Sequence, residues 1–300
     1  MRVGVTGSSG LIGSALVDAL GERGDEVVAF VRPETRHRPQ SHVRWDPALG
    51  EVDAGDLARV GRVDALIHLA GEGIGERRWN EQQKERILKS RVTSTNLLAE
   101  VAGVLDVGFV ACASAIGWYG DRGDEVLTER SSPGEGFLAD VCRQWEEATA
   151  PLEARGVSVA HCRNGIVLSA NGGALARQLP LFRLGLGAAL GSGRQWMSPI
   201  SLVDEVRAIL WILDHRLDGA VNLVAPEPLT NRDFTHHLAS LLHRPALLRV
   251  PASALRVALG REMADELILC SQRVVPEVLV ESGFDFSSRD AASALRSAAG

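Results

Sequence analysis

The chain opens Val3-Gly4-Val5-Thr6-Gly7-Ser8-Ser9-Gly10-Leu11-Ile12-Gly13. An apolar strand runs straight into a glycine turn, and a helical pattern follows from Leu11 to about Arg23. Few folds accept that order at an N-terminus. A tight turn between a buried strand and a helix start aims backbone N–H groups at one point. The helix dipole favours negative charge at the same point. The spacing G-x-x-G-x-x-G is one residue wider at the front than G-x-G-x-x-G. Gly7 allows the turn, Gly10 lets a phosphate approach the backbone, and Gly13 lets the helix pack close to the sheet. Gly7, Ser8, Gly10, Leu11, Ile12 and Gly13 are therefore the candidate residues for binding a dinucleotide diphosphate.

The remaining pattern fits such a fold. Short apolar runs at Arg2–Thr6, Glu26–Val31, Asp64–Ala70, Val107–Ala113 and Val157–Arg163 read as buried strands. Helical patterns at Leu11–Arg23, Asn80–Val101 and Phe137–Ala154 separate them. Continuous apolar strands alternating with helices imply a doubly wound parallel α/β sheet of the Rossmann type, covered on both faces. Residues 166–300 change character. They are glycine-rich near Gly185–Gly193, then mostly helical, with starts near Thr230 or Asn231, at Pro251 and at Met263. The expected plan is a nucleotide-binding domain over 1–165 and a smaller lid over 166–300. The two are partly interleaved, with Val221–Val224 as a candidate return strand.

A net charge of −6 without a Lys/Arg block gives no footprint for nucleic acid or an anionic membrane surface. No apolar run reaches the ~20 residues of a membrane span. Cys112, Cys142, Cys162 and Cys270 form no C-x-x-C pair and read as reduced thiols, and no metal-ligand spacing is present. The expected location is cytoplasmic.

Ligands of parallel sheets bind outside the carboxyl ends of the strands. After the second strand comes Arg32, with Arg36 and Arg38 close behind. Guanidinium forks suit a 2′-phosphate and favour NADP over NAD, whereas Glu34 is the residue that would suit NAD. The strand Asp64–Ala70 runs out through His68-Leu69-Ala70-Gly71-Glu72, where small residues let a ligand lie on the backbone, and His68 reads as a core histidine. Ser114 and Tyr119 follow the next strand and are the candidates for polarising a substrate oxygen. The proton relay usual in dehydrogenases of this architecture, Tyr-x-x-x-Lys, is missing. Tyr119 is the only tyrosine, and Gly123 stands four residues after it. Cys142 lies near the place of the absent lysine.

Several further segments carry a family resemblance: Arg78-Trp79-Asn80, Ser90-Arg91, Ser114–Gly120, Trp145-Glu146, Arg163–Leu168, Leu181–Gly187, Gly191–Trp196, Val221–Pro226 and Val274–Pro276. With the glycine turn and Leu69-Ala70-Gly71-Glu72, they resemble the extended short-chain dehydrogenase/reductases, which include the nucleoside-diphosphate-sugar epimerases. More narrowly, they are similar to an atypical epimerase-like branch with a C-terminal module of unknown function. The resemblance implies an NADP(H) site with Arg32, Leu69, Ala70, Glu85, Arg91 and Val167 at cofactor-contacting places. It also implies that loss of the Tyr-Lys pair belongs to the branch. Where relatives read Trp-Ile-His after the position of Trp196, this chain reads Pro199-Ile200-Ser201, so a substrate contact through that histidine would be missing.

Two functions follow as alternatives. One is an NADP-dependent oxidoreductase or epimerase-like enzyme with an unusual acid/base, acting on a small molecule such as a sugar nucleotide; Arg177, Arg183 and Arg194 read either as contacts to its diphosphate or as solvated surface charges, and Trp196 reads as a packed lid residue with stacking on a base or sugar as the alternative. The other is a binding module that senses NADP(H) without turnover. The residues do not specify an oligomeric state, and analogy with related folds makes a homodimer one candidate assembly.

Overall fold

The computed structural model describes residues 1–35 and 39–299. Arg36 and Arg38, named above as phosphate partners, lie outside the described residues. Eight strands form the main sheet: β1 Arg2–Thr6, β2 Glu26–Val31, β3 His42–Asp46, β4 Glu51–Val52, β5 Ala65–His68, β6 Phe109–Ala115, β8 Ser158–Asn164 and β13 Gly219–Leu223. Their order is β13-β8-β6-β5-β1-β2-β3-β4. All neighbours are parallel except β3 and β4. The order reverses between β1 and β5, and a crevice for a ligand opens at the carboxyl ends of strands beside such a reversal.

The helices are α1 Leu11–Glu22, α2 Ala54–Val60, α3 Glu81–Val104, α4 Phe137–Glu147, α5 Ala150–Glu153, α6 Gly173–Arg183, α7 Leu202–His215, α8 Asn231–Leu241, α9 Ala252–Leu259, α10 Arg261–Ala264, α11 Glu277–Glu281 and α12 Ala291–Ala299. Side chains alternate across a parallel sheet, so each face has its own core. Val3, Val5, Ile67, Phe109 and Ala160 pack with Leu16 and Leu20 of α1 and Ile209 and Ile212 of α7. Val28, Leu66, Val110 and Val159 pack on the other face with Leu57 of α2 and Leu97, Leu98 and Val101 of α3. A third core joins Leu175, Leu179 and Phe182 of α6 to Phe234 and Leu238 of α8 and Leu295 of α12.

Short strand pairs connect these units: β7 Val126–Leu127 with β16 Arg273–Val274, and β9 Ile166–Leu168 with β12 Pro199–Ser201. Two more pairs, β10 Ala188–Leu190 with β15 Leu248–Val250 and β11 Trp196–Met197 with β14 Leu229–Thr230, tie the later segments together.

Three readings of the sequence change. The pattern Phe137–Ala154 is two helices, because the chain turns at Ala148 and Thr149 and Pro151 starts the second. Strand β3 escaped notice because it is not a continuous apolar run like the other strands: Val43 and Trp45 alternate with the polar His42, Arg44 and Asp46. The pattern Met263–Cys270 is the end of α10 followed by one π-helical turn, Asp265–Leu269. Val221, Asn222 and Leu223 do return to the main sheet, in register with Cys162, Arg163 and Asn164. Among the described residues no helix is long and apolar enough to cross a membrane.

Candidate dinucleotide site

The turn after β1 is fixed by contact as well as by sequence. Gly7 has φ +66°, a left-handed conformation that a side chain strains. A Cβ there would lie 2.7 Å from both the carbonyl carbon and oxygen of Leu69. A Cβ on Gly13 would lie 2.1 Å from the Gly7 carbonyl oxygen, so α1 folds onto its own loop only with glycine at that place. Gly10 is different: a Cβ would meet only the Gly7 carbonyl oxygen, at 3.3 Å, and the space beyond is open. No side chain caps α1, whereas α2, α3, α7 and α8 each have a side-chain cap. Ser8, Leu11 and Ile12 are part-exposed around this turn.

The loop after β5 is bound to the turn through Thr6. Its hydroxyl accepts from the N–H groups of Leu69 and Ala70 at 3.1 and 3.2 Å, so its own proton goes to His68 Nδ1 at 2.8 Å. His68 Nε2 then carries the ring proton and donates to Ser94 Oγ at 3.1 Å, and Ser94 donates to the Ser90 carbonyl at 2.7 Å. Burial holds the His68 pKa down at about 3. His68 is the core histidine expected, and it braces β5 against α3.

The remaining cofactor candidates fall in different places. Arg91 lies beside Gly71, whose added Cβ would sit 3.4 Å from the guanidinium carbon. It donates to the carbonyls of Glu72 and Ile87, both at 3.0 Å, and its guanidinium lies 4.9 Å over Trp145. Val167 sits in β9, where its carbonyl oxygen is 3.5 Å from the Cβ position of Gly173. Arg32 stands at the end of β2, with its side chain 75% exposed and 3.7 Å from Glu34. Next to it a hollow of about 560 Å3 is lined by Pro33, Trp45, Asp46 and Leu97. Glu85 is exposed on α3, 2.6 Å from Lys89.

Ser114 and Tyr119 are buried in a polar network. Ser114 Oγ donates to Glu146 Oε1 at 2.6 Å, and Arg163 binds both Glu146 oxygens at 2.9 Å. Arg163 also donates to Tyr119 Oη at 3.0 Å, and Tyr119 donates to Asn222 Oδ1 at 2.7 Å. Burial pushes the Tyr119 pKa up to about 12. The reason is topological: β13 lies beside β8 with Asn222 in register with Arg163, so both reach the buried Tyr119 hydroxyl.

The α4 residues that face Gly117 are Leu138 and Cys142: a Cβ on Gly117 would be 3.4 Å from Leu138 Cβ and 3.5 Å from Cys142 Sγ. Burial pushes the Cys142 thiol up to about 11. Among the described residues no group of three His, Cys, Asp or Glu is placed to hold a metal ion.

Sequence reasoning missed the residue that starts α4. Its N-cap is Gly136, with no side chain to offer. Glu266, in the π turn, instead accepts from the N–H groups of Phe137 at 2.9 Å and Leu138 at 2.8 Å. Gln272 donates to the Ile116 carbonyl at 2.9 Å, and Ser271 to that of Gly123 at 2.7 Å. The C-terminal segment thus holds the loop that carries Tyr119 and the helix that carries Cys142. No local pattern signals a contact spanning well over a hundred residues. Of the proposed lid groups, Arg177 reaches the Gly75 carbonyl, Arg183 and Arg194 are exposed, and Trp196 donates to Asp124 at 2.8 Å. Ser201, at the place of the missing histidine, is buried and caps α7.

A model of the NAD dependent epimerase/dehydratase family matches residues 3–224. The chain belongs to that family. A second model, described only as a domain of unknown function, matches residues 250–298. Epimerase family protein Mb2239 of Mycobacterium bovis is 44% identical over 98% of this chain and 96% of its own length. The crystal structure of human epimerase family protein SDR39U1 (isoform 2) with NADPH superposes with a TM-score of 0.88 at 30% identity, covering 100% of this chain and 99% of the other. A nucleoside-diphosphate sugar epimerase from Corynebacterium glutamicum is 37% identical with a TM-score of 0.78. It covers 100% of this chain, which spans 58% of that longer one. The short-chain dehydrogenase/reductase resemblance and the Rossmann-type fold read from the sequence both hold.

Proposed function

We propose that this family member binds NADP(H) and is an oxidoreductase or epimerase-like protein for a small-molecule substrate of the nucleoside-diphosphate-sugar kind. The observation that carries the reading is the turn at Gly7–Gly13. Its backbone closes only around glycine at positions 7 and 13, yet leaves open space at Gly10 beside a helix start without a side-chain cap. A diphosphate fits that combination of N–H donors and dipole. Ser8, Leu11, Ile12, Leu69, Ala70, Gly71, Arg91 and Val167 are the further residues we assign to the cofactor, and the hollow beside Pro33 offers room for the adenosine end. Arg32, exposed and only weakly paired with Glu34, is the residue for a 2′-phosphate. The NADPH in the human relative supports this choice. Bound here, the dinucleotide would supply or accept a hydride at its nicotinamide ring.

The chain's own residues supply orientation. The Thr6–His68–Ser94 brace fixes the floor, and Glu266 fixes the start of α4. Ser114 and Tyr119 serve as structural members, because Glu146 and Asn222 already engage their hydroxyls.

One observation favours the second reading, an NADP(H)-sensing module. Leu138 and Cys142 face Gly117, and neither exchanges a proton near neutral pH. The test has two parts. NADPH and NADH are titrated against wild type and Arg32→Ala, and NADPH turnover is screened with sugar nucleotides and small ketones. The expected result is tighter NADPH binding that falls to the NADH level in Arg32→Ala. Equal affinities in wild type overturn the NADP assignment. Steady-state turnover of any screened metabolite removes the sensor reading as the main role.

A further inference from the structure

A closed ring of contacts surrounds the mouth of the glycine turn. Gly7 touches Leu69 and Ala70. The chain then runs through Gly71, Gly73 and Gly75, and the Gly75 carbonyl accepts from Arg177 Nη1. Arg177 is on α6, whose first residues pack on the first turn of α1: Cβ positions at Gly172 and Gly173 lie 3.1 and 3.5 Å from Leu11 side-chain carbons. Leu11 leads back to Gly7. With a rise of about 1.5 Å per residue, Arg177 sits roughly one helical turn beyond the contact with Leu11. Its side chain therefore crosses from the α6 wall to the wall formed by the loop after β5.

The charge on Arg177 has no counter-ion: among the described residues no carboxylate lies within 4.0 Å of it, and a carbonyl is its one partner. A carbonyl is a weak partner for a guanidinium, and a diphosphate is a strong one. Three glycines in the five residues Gly71–Gly75 give the opposite wall the freedom to move.

We propose that Arg177 is a strap across the dinucleotide groove that exchanges the Gly75 carbonyl for diphosphate oxygens when the cofactor binds. The inference rests on the NADP(H) reading above. It adds a cofactor-binding residue from the lid side: opening of the Arg177–Gly75 contact admits the dinucleotide, and breaking the Arg177–diphosphate contact is part of its release.

The experiment measures NADPH affinity, dissociation rate and salt dependence for wild type, Arg177→Ala, Arg177→Lys and Arg62→Ala. Arg62 is exposed and beside Asp106, remote from the turn, and its removal changes net charge equally. The strap predicts that Arg177→Ala weakens NADPH about tenfold, the effect of losing one charge-assisted bond. It also predicts faster dissociation and a shallower salt dependence, with Arg177→Lys in between and Arg62→Ala unchanged. If Arg177→Ala matches Arg62→Ala while wild type binds NADPH, the strap is wrong and the cofactor assignment stands. If wild type takes up no NADPH, the cofactor assignment falls and takes the strap with it.

Discussion

Glu205 gives the sharpest quantitative test of the architecture. It lies in the first turn of α7, fully buried, and its Oε2 has no partner. With the Asn164 amide turned so that nitrogen faces the carboxyl group, Asn164 donates to Oε1 at 3.0 Å and to the Cys162 carbonyl at 3.1 Å. That one contact links α7 to the end of β8, next to the strand that carries Val167. Burial pushes the Glu205 pKa from 4.5 up to about 8. Between those values the folded chain holds a proton that the unfolded chain has released, so stability falls as pH rises through that window. From about pH 5.5 to about pH 8.5 the loss from this group is ~3 kcal/mol. Domain stabilities are roughly 5–15 kcal/mol in total, so the slope is measurable. His68, held neutral by burial, contributes the opposite slope below 6.5 but is common to both proteins compared. Glu205→Gln carries no charge to bury and keeps an oxygen for Asn164. Urea unfolding of both proteins across that range should show the variant gaining ~3 kcal/mol on wild type toward the alkaline end. Parallel curves would refute the reasoning, because they would mean that Glu205 does not hold its proton in the fold.

Two further outcomes follow from the contacts. Gly13→Ala should lose about 1–3 kcal/mol of stability through the backbone clash with Gly7, while Gly10→Ala keeps wild-type stability and weakens NADPH; thermal melts with and without NADPH separate the two. Tyr119→Phe should cost about 1–3 kcal/mol, because Asn222 Oδ1 is left without its donor and Arg163 loses an acceptor, and should leave NADPH affinity unchanged; a changed affinity with unchanged stability would place the hydroxyl in the cleft.

The parts legible in the sequence were those carried by local pattern. The strand–glycine–helix order located the turn because Gly10 and Gly13 answer Gly7 a few residues away; the contact of Gly7 with Leu69 is not local and shows only in the fold. Val221–Val224 could be named as a candidate return strand from the apolar residues Val221, Leu223 and Val224. The site chemistry was less visible. Ser114 and Tyr119 follow a strand end, as functional residues do, but Glu146, Arg163 and Asn222 draw their hydroxyls inward from three other elements. Glu85 sits on the same helix as Arg91, yet their spacing of six turns the two to different sides, and Glu85 pairs with Lys89 on the surface. Glu266 is one acidic residue among many until the glycine at the start of α4 leaves two N–H groups for it.

The central claim is that the turn at Gly7–Gly13 holds the diphosphate of a nicotinamide dinucleotide. Calorimetric titration of NADPH into wild type and Gly10→Asp, both shown to be folded, addresses it most directly. The account predicts saturable one-site uptake by wild type and none by Gly10→Asp, whose carboxylate would stand where the phosphates bind. Equal uptake by the two proteins, or none by wild type, would contradict it.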